Sequence, residues 1–541
     1  METIHRVEPA TSSALIAWLL ACALFLALVL PRLQQPVTDD EIYEVRNAER
    51  LIAGEQIHLY VPPIYDLVLA GVILAAGNSD ASLRLPGIAC AVMTLGMTWL
   101  LSLQLGLSLW QRLLCLVLLC TAPAFVQGAL LVHIDNTLLV PSCSAFVWAS
   151  LRWWRAPAHT RWFTGLLSCG LLALALLVKF STPLMMVAGI GTALLWRDRQ
   201  RVVGFAWIVA GGMIGFAVIW WALAYWLQLN PLEPFQFVLE RADRQRGSWV
   251  TWIQTWVRNL WTLAAWLTPW LMLGTLWAWR RLSDLKTPHL IVAMAALAVF
   301  AYLPLTSINH GFPKYYLPAL PLMVIGVVQS LTEDARGLWM GPATIVIGLF
   351  VILIGHEPIY FLRYDLRQLL VQGQDPTLAI LGQAAMWVTP AVGLVWWGRR
   401  RLRPVFSPGG ILFVLCLACG LATSVQQSFG DYQTNYSYGE RGTGEMLNHL
   451  RRKLAPGDRI VATQDVLYRL GRHDQALPDA VWGSPTRLAD ELSLASTRFA
   501  VISLPSQSQA MLKSWHQPPL LGVLAQFDSV RIGTHVIYSR H

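Results

Sequence analysis

Long apolar runs separated by short polar ends set the pattern of this chain. Such runs fall near 13–31, 84–105, 109–131, 136–152, 163–178, 181–196, 203–227, 259–279, 288–306, 315–332, 340–356, 377–397 and 409–426. Each approaches the roughly 20 residues that a helix needs to cross a bilayer, so the pattern predicts about thirteen transmembrane helices. A shorter stretch, 62–77, opens on Pro62-Pro63 and reads as a further span or a re-entrant piece. The first run follows Glu2 and Arg6 with no small-residue cleavage site, so it reads as an anchor and not as a cleaved signal.

From about residue 427 the pattern changes to that of a small soluble α/β domain. Tyr438 to Lys453, Thr486 to Ala495 and Ser506 to Trp515 read as helices. Arg459 to Thr463, Arg498 to Leu504 and His535 to Ser539 read as short strands. The expected organisation is a helical membrane domain over 1–426 and an α/β domain over 427–541. The tail carries no Gly-rich phosphate loop and no evident nucleophile constellation, so it reads as accessory.

Composition agrees with the pattern. Of 541 residues, 55% are hydrophobic and only 13% charged, where a soluble domain carries roughly a quarter. The net charge of +9 is no nucleic-acid footprint, because the Arg residues sit in short loops between apolar runs. All eight Cys lie in apolar stretches and read as small buried hydrophobes, the Cys416/Cys419 spacing included.

The loop cations give orientation. With the N-terminus in the cytoplasm, the inside loops hold Arg112, Arg152, Arg155, Arg161, Arg197, Arg199, Arg201, Arg280, Arg281, Lys286, Arg336 and Arg399 to Arg403. The long loops 32–61, 228–258, 307–314 and 357–376 then lie outside, as does the tail. The expected location is the inner membrane of a bacterium, with the tail periplasmic.

This threading puts every chemistry-capable cluster on the outer side. They are Thr38 to Glu41, His133 to Asn136, Lys179 to Ser181, Arg241 to Arg244 and Phe312 to Tyr315. Ionisable groups near apolar spans are costly, and a one-sided set reads as a single site. Each has a plainer reading. Asp40 and Glu41 suit a helix N-terminus, and Asp135 or Asn136 could cap the helix that follows. Lys179 could snorkel, while Arg241, Arg244 and Lys314 could be interfacial anchors beside Trp249 and Trp252. A transporter or flippase of lipid-linked sugars is the second reading, but it would place charges at mid-depth in inverted repeats, and no such repeat is evident.

Order and spacing carry more than any one cluster. Asp40-Glu41 after the first span, Pro62-Pro63, Arg84-Leu85-Pro86 and Pro123 through Asp135 occur in strict succession, then Leu176 to Lys179, Pro269-Trp270 and Lys314 to Pro318. In this the chain resembles the GT-C superfamily of polyprenyl-phosphate-sugar-dependent membrane glycosyltransferases. It is most similar there to the protein O-mannosyltransferases and bacterial aminoarabinose transferases. The resemblance runs from about residue 10 to 330. Relatives often carry His or Lys before the Pro-Pro pair where this chain has Val61, and Arg before the second Asp where it has His133 two residues ahead.

The resemblance implies an enzyme moving a sugar from a polyprenyl phosphate, undecaprenyl in a bacterium, to an acceptor hydroxyl with inversion. Asp40 would be the base, with Glu41 beside it, and Asp135 would orient the acceptor or hold a cation. Lys179, Arg241, Arg244 and Lys314 would bind the donor phosphate. Tyr43, His58, Tyr65, Arg84, His133 and Tyr315 are substrate-contact candidates. A divalent metal is left open, and no other cofactor is implied. The expected partners are the lipid-linked donor, a lipid, glycan or protein acceptor and membrane lipids, with no nucleic acid.

Overall fold

The structure, a computed structural model, describes residues 12–35, 37, 40–57, 59, 61–236, 249–280, 282–301, 303, 314–334, 377, 416–417, 420–421, 423–425, 428, 442–477, 479–482, 484–503 and 518–540. The chain divides into two compact units. One comprises 1–34, 44–361 and 380–428, and the other 35–43, 362–379 and 429–541.

The first unit is helical. Its described helices are α1 (Ser12–Val29), α2 (Asp40–Ala53, entering from residue 44), α3 (Ile64–Ala76), α4 (Asp80–Gln104), α5 (Leu109–Thr121), α6 (Pro123–Leu130) and α7 (Leu139–Arg155). There follow α8 (Ala158–Val178), α9 (Ser181–Arg197), α10 (Val202–Trp226), α11 (Trp249–Leu267), α12 (Pro269–Trp279), α13 (Thr287–Val299) and α14 (Leu320–Asp334). Among the described residues, four helices are long and apolar enough to cross a membrane, and the bent pair α5–α6 makes a fifth. The expected span at 340–356, all but the first residue of 377–397 and most of 409–426 lie outside the described residues.

The expected span 109–131 is broken at a predictable point. Ala122 is extended and Pro123 has no N–H to continue the ladder, so α5 and α6 meet at a 60° bend. Gly87, just after Arg84-Leu85-Pro86, seats α4 on α6. A Cβ there would strike the Ala129 carbonyl, and the buried Arg84 guanidinium donates to the carbonyl of Leu130. Gly189 does the same for α9 against α13, where a Cβ would strike the Met294 carbonyl. Close backbone approach of this kind needs Gly.

α6 therefore ends in a fixed place, and the chain passes through a turn over 131–138 before α7 begins. Thr137 Oγ1 donates to the His133 carbonyl at 2.9 Å and pins that turn. No side chain caps α7, so neither Asp135 nor Asn136 serves as its N-cap. α2 is amphipathic, burying Ile42, Val45 and Ala48, and is not among the membrane-crossing helices.

In the second unit a mixed four-stranded sheet has the order β1 (Arg459–Val461), β2 (Thr497–Ser503), β4 (His535–Arg540), β3 (Phe527–Ile532). β1 and β2 are parallel, and the other pairs antiparallel. Gly533, at φ +58, supplies the two-residue turn between β3 and β4. The helices are α15 (Thr443–Lys453), α16 (Gln464–Arg469), α17 (Asp479–Trp482), α18 (Pro485–Ser493) and α19 (Pro518–Leu524). β2 is buried on both faces. Phe499 and Val501 meet Met446, Leu450 and Leu467, while Ala500 and Ile502 meet Leu488, Leu492 and Leu520. That is why its sequence is a continuous apolar run without alternation. The expected helix from Ser506 to Trp515 lies outside the described residues, as do 438–441. Residues 35–43 belong to this unit, and Arg469 Nε donates to the Val37 carbonyl at 2.8 Å.

Candidate active site

Three chain corners of the first unit meet at one buried polar cluster. The first is the turn 131–138. The second is the junction of α8 and α9, where Lys179 is extended (φ −163, ψ 128) and ends α8. The third is a short 3-10 turn, Lys314–Ala319, that leads into α14 and accommodates Pro318, which has no N–H to donate.

Asp135 is completely buried, and Lys179 Nζ donates to both its oxygens, at 2.6 Å and 2.8 Å. Removing one partner of such a pair leaves a buried charge, at a cost of about 3–5 kcal/mol. The Asp135 backbone N–H donates to His133 Nδ1 at 3.1 Å. The ring's other nitrogen, Nε2, lies on the opposite side. That nitrogen faces Lys314 Nζ at 3.1 Å and Glu44 Oε1 at 3.8 Å. Tyr315 lies between the cations: its ring centroid is 4.2 Å from Lys179 Nζ and 5.7 Å from Lys314 Nζ. A desolvated cation over an aromatic face gains roughly 0.5–2 kcal/mol. Asn136 is buried too, and neither of its amide atoms has a hydrogen-bond partner among the described residues.

Two carboxyl groups that sequence reasoning passed over complete the cluster. Glu44 of α2 and Asp66 of α3 lie within interaction range of each other, and Asn47 stands beside Asp66. Both acids are buried, at 8% and 5% exposure. Burial, with the Asp66 charge behind it, pushes the Glu44 carboxyl well above the ordinary carboxylate range, opposed in part by Lys314. A signal was present in the sequence, since Glu44 follows Asp40 by one helical turn and Asp66 follows Pro62-Pro63 by three residues.

The predicted residues thus divide. Asp135, Lys179, Lys314, His133 and Tyr315 come together. Tyr65 is buried on α3 beside Asp66. Arg84 ties α4 to the end of α6. Asp40 opens α2, with Glu41 buried and Tyr43 half-buried on the following turn, and all three belong to the second unit. His58, Arg241 and Arg244 lie outside the described residues. Among the described residues, no group of three or more His, Cys, Asp or Glu is arranged to hold a metal ion. The described cysteines, Cys416 included, are free thiols.

A buried carboxylate–lysine pair, a second lysine and an aromatic ring thus gather where apolar helices end. Residues 60–226 match the dolichyl-phosphate-mannose-protein mannosyltransferase family. By that segment and its fold, the chain resembles the GT-C membrane glycosyltransferases, among them the protein O-mannosyltransferases and ArnT. Among solved structures it is similar to ArnT from Cupriavidus metallidurans bound to undecaprenyl phosphate, with 15% identity over 98% of each chain and a TM-score of 0.57. The apo state of that protein is 15% identical over 98% of each chain, with a TM-score of 0.53. At that identity the likeness is one of fold. No curated protein sequence matches the chain.

Proposed function

We propose that the protein transfers a sugar from a polyprenyl phosphate carrier, undecaprenyl phosphate in a bacterium, to an acceptor hydroxyl at the outer face of the cytoplasmic membrane. The observation that carries this reading is the buried cluster that joins the Asp135–Lys179 pair, the Tyr315 ring, Lys314 and His133. It lies in a fold shared with a protein whose structure holds undecaprenyl phosphate.

In the proposed reaction, the acceptor oxygen attacks the anomeric carbon as the bond from that carbon to the phosphate oxygen breaks. The bonding pair leaves on the phosphate, and the anomeric configuration inverts. Asp40 takes the acceptor's proton, and a positioned base contributes about a hundred- to ten-thousandfold. Lys314 and Lys179 meet the charge that grows on the phosphate, joined by Arg241 and Arg244 of the loop 228–258. Asp135 holds Lys179 in place and orients the acceptor. The membrane part spans 1–426, the tail 427–541 is extracytoplasmic, and the N-terminus is cytoplasmic.

The test uses purified protein with two donors. Transfer from a synthetic undecaprenyl-phosphate sugar, with none from the matching nucleotide sugar, is the expected result. Transfer from a nucleotide sugar with no polyprenyl carrier present overturns the donor assignment. Lipids and glycans of a deletion strain, read by mass spectrometry, then name the sugar and the acceptor by the species lost and the donor accumulated.

A further inference from the structure

The tail reads in the sequence as accessory, yet it grips the chain just ahead of the proposed base. Within the second unit, Arg469 Nε donates to the Val37 carbonyl at 2.8 Å, and Nη2 of the same guanidinium donates to the same oxygen. Among the described residues the guanidinium makes no other hydrogen bond, and its Nη1 is buried without a partner. The side chain is thus committed to one main-chain oxygen. Val37 itself is enclosed, at 2% exposure. Three residues further on, Asp40 opens α2, and residues 40–43 stay with the tail while α2 continues from Glu44 in the first unit. Arg469 works from a rigid base. It is the last residue of α16, and its own carbonyl accepts from Arg451 Nη2 of α15 at 2.9 Å. Val466 and Leu467 of α16 pack in one core with Phe499 and Val501 of β2. A planar fork on such a base fixes the position of what it grips.

We propose that Arg469 positions Asp40 for proton abstraction, so that the tail supplies part of the catalytic geometry. The inference rests on the reading of Asp40 as the base. Arg469 touches no reacting atom and is a positioning residue. Its hold is on the main chain, so it acts whatever side chains the gripped stretch carries. Three residues of extended chain reach at most about 10 Å, so a fixed Val37 carbonyl confines where α2 can begin. Displacing a reacting group by about 1 Å can cost about a hundredfold in rate. The phosphate-binding lysines do not depend on this hold. Lys179 and Lys314 belong to the first unit, where Lys179 is paired with Asp135 and Lys314 Nζ lies 3.1 Å from His133. Loosening the stretch 37–40 therefore slows the chemical step and leaves donor binding as it was. A contact that merely knitted the tail to the loop gives a different split, a loss of stability with no loss of rate in the folded protein.

The experiment uses detergent-solubilised full-length protein and two variants, Arg469→Met and Arg469→Gln. Transfer is measured with the lipid-linked donor that accumulates in the deletion strain, and with membranes of that strain as acceptor. Binding of undecaprenyl phosphate is measured separately. Arg469→Met should bind undecaprenyl phosphate with the wild-type Kd and keep its KM for the donor, while kcat falls about ten- to a hundredfold. Arg469→Gln keeps one N–H donor and loses the fork, so its kcat should lie between the two. Hydrogen exchange of the amides of residues 40–43 should quicken in the same order. A folded Arg469→Met that turns over at the wild-type kcat overturns the proposal, and so does a fall in kcat matched by an equal weakening of undecaprenyl phosphate binding. Should Arg469→Met not fold, Arg469→Gln decides by the same split, and a wild-type kcat in it overturns the role. An Asp40→Asn protein that transfers like the wild type removes the base assignment and this role with it, an outcome visible before either Arg469 variant is assayed.

Discussion

Lys179 Nζ lies 2.6 Å and 2.8 Å from the two oxygens of Asp135, and the carboxylate it grips is fully buried. The two residues are 44 positions apart in sequence, Asp135 in the turn between α6 and α7 and Lys179 at the end of α8. The pair locks the α8–α9 corner to the turn after α6, whatever else it does in catalysis.

Lys179→Met should therefore lower stability as well as slow transfer, because it leaves Asp135 without its cation, at about 3–5 kcal/mol. Thermal unfolding in detergent gives the loss. The double variant Lys179→Met/Asp135→Asn should recover part of the stability and none of the activity. If Lys179→Met unfolds like the wild type, the pair does not hold the corner.

Asp40→Asn should abolish transfer in protein that still folds, since the amide keeps the shape and loses the basic oxygen. Asp39→Asn should be milder. Single-turnover transfer with purified variants checks both, and a reversed ranking would move the base by one residue.

The path from sequence to site was legible where local chemistry decides. The ordered motifs marked Asp135, Lys179 and Lys314, which the fold brings together. Glu44 and Asp66 left only the spacing signal, because an acid on an amphipathic helix is ordinarily solvated and only the fold shows that these two are buried. The expected span 109–131 missed its bend because hydropathy is blind to backbone direction. In the tail, β3 has four exposed positions and too little apolar alternation to announce itself, whereas β2, covered on both faces, was plain.

His535 makes the tail acid-sensitive. It is fully buried against Thr443, 3.0 Å away, and burial, assisted by Arg469 and opposed by Asp465, lowers its pKa to about 4. The folded state thus resists a proton that the unfolded chain takes up near 6.5. This stability is present above about pH 6.5 and is lost as pH falls toward 4, on the order of 3 kcal/mol in all. Hydrogen exchange of the amides of β2 and β4 should quicken over that window. His535→Asn should flatten the dependence, and an unaltered one would assign the acid sensitivity to other groups.

The proposed threading has its own test. Cysteines engineered at Thr251 and Ser437 should react with an impermeant thiol reagent added to intact cells with a permeable outer membrane, and one at Ser283 should not. Labelling at 283 from outside would reverse the orientation drawn from the loop cations.

The clamp of Arg469 on the Val37 carbonyl joins residues 432 positions apart. A ribosome delivers the N-terminal side of that bond first, and the first membrane helix emerges long before its partner exists. The stretch leading into Asp40 must wait for this bond through synthesis of the intervening chain. Closing so long a loop adds only slowly to the entropic cost of joining its ends, but it fixes an order of events. The acidic motif gains this support only after the tail has folded, so a chain broken off before residue 469 has the motif and lacks the clamp. In that sense the last-made domain certifies the first-made loop.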